Sequence, residues 1–438
     1  MKKVEVMFFF DTEDFTSERS AEAILREAEI CTRAGVVGHF AVVGLVAKQL
    51  KAWGRQDIID ALQPHIIGTH TYGHTLHPDI CEQSDCESFT EAFQNVALYE
   101  DQGLALIKEV LEPEHILFAC PPGNSKSYAS MYYYADRGLP FYCDTVVHDE
   151  RSTPLHYCNQ EHISYFRSME GVFFRGDADV DAFLDEIYAK KDRAIIYTHP
   201  NVAVKTEFWD ELNYKKVNLR KYGDWIEAPD RDPEETRFFY EKMVELLQKL
   251  KQDERFVLTD LNEILAKRKP RTPVTKAILP VVREHLRRGL APVRGPSFAV
   301  ADIFYAVVEM LKGEEEYVPQ KVYGFLSAPT GVGKACTVSA EGLRKAAHAI
   351  RTDTFIPETI AVDGKQLGPA DFLMAALDVL VDDVEKAEVL PKEQLVRLEG
   401  FDELQGFQLR GTWMHSDELR DEYLSDRLRL QCWTLRYE

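Results

Sequence analysis

The sequence predicts an α/β fold, a parallel sheet open or closed into a barrel, with a smaller and mainly helical domain behind it. Three observations carry this reading. Short apolar runs alternate with segments of helical pattern up to residue 268, the order that builds a parallel sheet. A basic, proline-punctuated stretch, Lys267-Arg268-Lys269-Pro270-Arg271-Thr272-Pro273, then ends the alternation. Asp11, His70, Pro121 and His199 each follow directly on an expected strand, and such folds collect their sites at the carboxyl ends of strands.

The elements follow in order. Residues 4–10 form a Val- and Phe-rich run suited to a buried strand. Thr16 or Ser17 can cap a helix over 19–34, which Gly35 ends. Residues 36–43 are the next strand, 45–62 a helix, and Ile66-Ile67 a short strand that delivers His70. A long helix covers 88–111, a strand 116–120, and a Pro-Pro-Gly loop follows. A helix spans 128–137, an extended segment 141–147, and residues 172–174 read as a strand. Residues 194–198 and 256–258 are further strands.

Residues 1–268 therefore read as the catalytic domain, 269–294 as linker and start of the second domain, and 295–438 as that helical domain. The latter carries a degenerate repeat. Gly295-Pro296-Ser297-Phe298-Ala299-Val300-Ala301-Asp302-Ile303-Phe304-Tyr305 is echoed by Gly364 to Met374, with Ala301-Asp302 matched to Ala370-Asp371. Each copy opens an apolar helix.

Composition excludes several functions. Hydrophobic residues make up 45% of the 438, enough for sizeable cores. The net charge of -21 disfavours nucleic acid and anionic membranes as partners. No apolar run reaches the roughly 18–20 residues that span a bilayer. The first strand already carries Asp11 and no small-residue cleavage site follows it, so a cytoplasmic protein is expected. Eight scattered cysteines lack a zinc-ribbon pattern and read as reduced.

The chemistry centres on Gly68-Thr69-His70-Thr71-Tyr72-Gly73-His74 and Asp11-Thr12-Glu13-Asp14. Two imidazoles spaced i, i+4 can serve one ion from a helix or a tight loop, and Gly68 and Gly73 favour the loop. Clustered carboxylates at a strand end repel one another unless a cation neutralises them. Alternatively they form a solvated loop, with Asp14 as an N-cap.

These segments resemble the polysaccharide deacetylase family (carbohydrate esterase family four), whose domain is a distorted (β/α) barrel. Five stretches stand in family order. They are Phe9 to Asp14, Gly68 to His74, Phe118 to Gly123, Phe141 to Asp144, and Ile195 to Pro200. The resemblance implies a divalent metal, zinc foremost, held by His70, His74 and an acid of the first stretch. It implies Asp11 as general base toward the attacking water and His199 as the acid that protonates the leaving amine. Pro121, Pro122 and Gly123 would line the substrate and supply an oxyanion donor. Asp144 would orient His199 or line the site.

Two departures stand out. Thr12 follows Asp11 where the family has a second aspartate, so the acidic ligand is Glu13 or Asp14. Glu13 is favoured, since residues two apart on a strand share a face. Ala119 or Cys120 stands where the family carries an arginine beside the base. The expected activity is hydrolysis of a carbon–nitrogen amide bond, N-deacetylation of an acetylated amino sugar or oligosaccharide. Alternatives are a metal-free hydrolase of small amides and a non-catalytic glycan-binding barrel. The helical domain suits polymer recognition, homo-oligomerisation, or cover over the barrel's site.

Several features are set aside. Ala328 to Ala335 has a phosphate-loop look but lacks the Ser or Thr for magnesium. His39 and His77 suit packing, as do Tyr132-Tyr133-Tyr134. Trp209, Tyr214, Tyr222 and Trp225 suit sugar stacking or a packed loop cluster equally.

Overall fold

A computed structural model of the chain describes residues 3–143, 154–396 and 412–437. It divides into two compact units. The first holds the described residues up to 143, then 162–268 and 412–424; the second holds 154–161, 269–396 and 425–437. Each unit thus draws on chain from both sides of residue 268.

The first unit is built on a curled parallel sheet flanked by helices, the distorted (β/α) barrel architecture. Numbered along the chain, its strands are β1 (Val4–Thr12), β2 (Gly38–Val42), β3 (Ile66–Thr69), β4 (Phe118–Ala119) and β5 (Phe141–Cys143). Then come β6 (Tyr165–Ser168), β7 (Arg193–Thr198) and β8 (Phe256–Leu258). Their order is β5-β4-β3-β2-β1-β7-β6, every pairing parallel. β8 pairs with residues 4–6 of β1 while β2 takes residues 8–12. β1 is therefore flanked along its whole length, which is why it reads as a mostly apolar run, broken at Glu5. Inside the curl, Met7 and Phe9 of β1 pack with Ala41, Phe118, Phe141, Ile195 and Leu261.

Local sequence sets the helices. Ser17 precedes α1 (Glu18–Ala34), and Gly35 closes it in the left-handed conformation, φ 63°. The helix expected over 45–62 is two, α2 (Gly44–Ala52) and α3 (Gln56–Leu62), broken at Gly54 with φ 68°. α4 (Ile80–Ser84) and α5 (Phe89–Leu111) start at side-chain caps, Asp79 and Ser88. α2 and α5 approach so closely that a Cβ on Gly44 would lie 2.7 Å from Gly103 Cα. Residues 172–174, expected as a strand, belong to a helical turn, α6 (Met169–Phe173), because Ser168 Oγ caps it at Gly171 N. The strand is the preceding β6. Of the expected 141–147 extension, the structure describes Phe141–Cys143; Asp144 lies outside the described residues.

The second unit contains helices Leu279–Arg288, Val300–Lys312, Ala340–Ala349 and Pro369–Asp382 together with short antiparallel ribbons. The two repeated aspartates play one role. Asp302 accepts from Ala299 N at 2.8 Å and Asp371 from Gly368 N at 3.0 Å, each closing the start of its helix. The two helices meet through Phe304 and Phe372. In the phosphate-loop-like stretch, Val332 N is bonded to Asp371 Oδ2. Among the described residues, no helix is long and apolar enough to cross a membrane.

Candidate metal and catalytic site

The carboxyl ends of β1, β3, β4 and β7 bring Asp11, Glu13, His70, His74, Cys120 and His199 together. The His70–His74 segment is a loop, with Thr71 at φ 68° and His74 at φ 56°. It is pinned on both sides. His70 N donates to Val42 O and Leu45 N to Tyr72 O, while Thr71 Oγ1 accepts from His74 N. A Cβ on Gly103 would sit 2.9 Å from Tyr72 Cα, so the glycine lets α5 back this loop directly.

Both imidazoles have their Nδ1 edges engaged and their Nε2 edges aimed at Glu13. His70 Nδ1 lies 2.5 Å from Cys120 O, and His74 Nδ1 lies 3.3 Å from Asp210 Oδ2. Glu13 Oε2 is 2.9 Å from His74 Nε2 and 3.8 Å from His70 Nε2. The three donor atoms lie within 4.8 Å of one another, all buried. Fixing the far ring nitrogen with a carbonyl or carboxylate is how metal-ligating histidines are oriented. Two imidazoles and a carboxylate are also a zinc-type donor set. The residues therefore fit a divalent metal. Glu13 Oε1 is steadied from behind by Asn201 Nδ2 and Trp209 Nε1, each at 3.3 Å. Asp14 faces elsewhere: Thr16 N and Oγ1 and Ser20 Oγ donate to its oxygens at 2.6–2.8 Å.

Asp11 and His199 stand beside this set. Asp11 Oδ2 is 3.6 Å from His199 Nε2. Tyr165 OH donates to Asp11 Oδ1 at 3.0 Å, and Cys120 Sγ lies 3.8 Å from the same oxygen. A hydroxyl and a thiol thus occupy the place where the family resemblance leads one to expect an arginine. His199 Nδ1 is held at 2.7 Å by Glu170 Oε1, whose other oxygen accepts from Thr198 Oγ1.

Burial and charge pull against each other here. Burial disfavours the Glu13 carboxylate, yet the charge of His74 and bonds to both histidines bring its pKa well below the usual range. Burial likewise opposes charge on the imidazoles. Nearby carboxylates outweigh it, raising His70 and His74 to about 9, and His199, beside Glu170, to about 10. His39, by contrast, is pushed down to about 4 by burial. It packs on Phe9, with Nδ1 against Phe8 O and Nε2 accepting from Leu261 N.

The Pro121–Gly123 loop continues from Cys120 as a tight turn, with Gly123 at φ 55°. A Cβ there would collide with Met414 Sδ. The sequence offered no sign of Glu170, Tyr165 or Asp210 as site residues, since each lies far along the chain from its partner; Trp209, read as suited equally to sugar stacking or a packed cluster, donates to Glu13 Oε1 from within such a cluster. The loop aromatics form a packed cluster. Phe15 contacts Trp209, Tyr214, Tyr222 and Trp225, and Trp209 and Tyr214 are fully buried.

No family model and no curated protein matches the chain. Solved structures with some likeness include a CE4 family pseudoenzyme from Bacillus anthracis, at 15% identity and TM-score 0.36, covering 60% of this chain and 66% of that one. PuuE allantoinase gives 11% identity and TM-score 0.39, over 60% of this chain and 89% of its own. The Xyl-CE4 domain of a multidomain xylanase from the hindgut metagenome of Trinervitermes trinervoides gives 14% and 0.34, over 60% and 91%.

Proposed function

We propose that the chain is a metal-dependent hydrolase of carbon–nitrogen bonds that removes N-acetyl groups from an amino sugar or oligosaccharide. The observation that carries this is the convergence of both imidazole Nε2 atoms on Glu13 with Asp11 and His199 alongside. Glu13, His70 and His74 would hold the metal, zinc first by donor type. Bound there, the metal would polarise the amide carbonyl and acidify a water. Asp11, fixed by Tyr165, takes the water's proton. His199, kept charged by Glu170, gives its proton to the leaving nitrogen, which is otherwise a poor leaving group. Pro121, Pro122 and Gly123 line the substrate side and offer a backbone N–H to the developing oxyanion. Glu170 orients His199, and a part for Asp144 in lining the site stays a proposal. A cytoplasmic location would favour a soluble oligosaccharide over a mature wall polymer.

A non-catalytic glycan-binding barrel is the second reading, favoured by Cys120 and Tyr165 beside Asp11 in place of a cation. The test is acetate release from N-acetylated hexosamine oligosaccharides by the zinc-loaded chain. Release is expected from wild type and about 10²- to 10⁴-fold slower release from Asp11→Asn. Sugar binding without any acetate release would favour the second reading, and unchanged release in Asp11→Asn would remove Asp11 from the mechanism.

A further inference from the structure

A second cluster of metal-type donors lies away from the site just described. Asp79, Cys81 and His415 are all buried and bring their donor atoms within 4.8 Å of one another. Asp79 and Cys81 flank the start of α4, while His415 arrives 336 residues later. Asp79 divides its carboxylate between two tasks. Oδ1 accepts from Cys81 N and Glu82 N at 2.8 and 3.1 Å, and Oδ2 meets His415 Nδ1 at 2.8 Å. Cys81 Sγ makes a long contact, 3.8 Å, to Lys126 O. A second layer surrounds these groups. His77 and Glu82 offer donors within 4.8 Å of Asp79's, and His77 Nδ1 lies 2.9 Å from Glu82 Oε2. His77, Glu82, Lys216, Asn218, Ser416 and Arg420 line a neighbouring cavity of about 680 Å³.

The geometry points to a second, structural metal site formed by Asp79, Cys81 and His415, of zinc type. One thiolate, one imidazole and one carboxylate are ligands zinc accepts together. Asp79 coordinates through Oδ2 and keeps its Oδ1 on the backbone amides, which fix its orientation as an outer-shell bond would. Binding replaces the proton on Cys81 Sγ with the ion, so one proton leaves for solvent and His415 coordinates neutral. The consequence is a staple. It ties residues 412–424 to α4, in the same unit, and holds Met414 against Gly123, beside the loop proposed to line the substrate.

The test is titration of the metal-stripped full-length chain with cobalt(II) alone, followed by absorption. Thiolate ligation gives a charge-transfer band in the near ultraviolet. The band is expected in wild type and in His70→Ala, and absent in Cys81→Ser. His415→Gln should weaken cobalt binding without touching the sulfur. Loss of the band in His70→Ala would assign it to Cys120 and overturn the proposal, as would its absence from wild type or its survival in Cys81→Ser. Should Cys81→Ser fail to fold, Asp79→Asn and His415→Gln decide it: cobalt binding unchanged in both overturns the site.

Discussion

Glu170 holds the charge on His199, the proposed acid. Burial alone would strip His199 of its proton, and it is the neighbouring carboxylate that raises the imidazole to about 10. Glu170→Gln removes that charge while keeping a hydrogen-bonding side chain. His199 should then lose its proton at a lower pH, because the largest charge opposing burial is gone and only Glu13 and Asp11 are left against it. We expect the alkaline limb of the pH–rate profile to move to lower pH and turnover at neutral pH to fall about 10²-fold or more. An unchanged profile would dissociate Glu170 from proton delivery. At Asp11 the question is the tyrosine. Tyr165→Phe deletes the donor to Oδ1 and should lower kcat more than it raises KM, as the loss of an interaction positioning the base would. At this scale the sequence was readable where residues sit close together. The loop at His70–His74 could be read from Gly68 and Gly73, and strand parity favoured Glu13 over Asp14 as the acid that faces the histidines. Glu170 and Asp210 were not readable, because only the folded sheet and the long loop after β7 bring them to His199 and His74.

α5 is the element that backs the His70–His74 loop, and two of its residues make this testable. Gly103 admits Tyr72 at a distance no Cβ would tolerate. Gly103→Ala should destabilise the first unit by about 1–3 kcal/mol through overpacking, read as a lower denaturant midpoint, with metal affinity reduced alongside. Glu100, on the same face, is buried and accepts from Tyr72 N at 3.1 Å and Tyr134 OH at 2.7 Å. Burial raises it to about 7 in spite of those bonds. The folded state therefore prefers the protonated acid. Its stabilising contribution is fully present below the unfolded pKa near 4.5 and is lost as pH rises through about 7. That loss is on the order of 3 kcal/mol. Glu100→Gln should flatten the fall in stability between pH 4.5 and 7; thermal unfolding across that window, showing the same slope in both proteins, would refute this. Boundaries followed local chemistry where the cap was plain, as at Gly35; Ser17 stands at the N-cap position, but its hydroxyl donates to Glu227 and not to the helix. The boundaries failed at Gly54, whose left-handed turn splits a continuous apolar pattern, and at residues 172–174, where a Ser168 cap turns an apolar triplet into helix.

For the whole molecule, the parallel sheet was legible because its central strands are buried on both sides and read as largely apolar runs. The interleaving of the two units was not. Residues 412–424 join the first unit and 154–161 the second, and no composition shift marks either exchange. The internal repeat was visible as Ala-Asp matched with Ala-Asp, and its physical basis is a shared helix start rather than a shared chemistry. Its relation to activity is best asked with the chain intact, since Met414 and His415 belong to the unit that carries the site.

The central claim is that Glu13, His70 and His74 hold one divalent ion. Elemental analysis of purified wild type beside Glu13→Ala and His70→Ala, without added metal, tests it most directly. We expect each variant to carry one equivalent of zinc or a related divalent metal fewer than wild type, with any remaining equivalent sensitive to Cys81→Ser. Equal metal in all three proteins, or none in wild type even after reconstitution with zinc, would contradict the account.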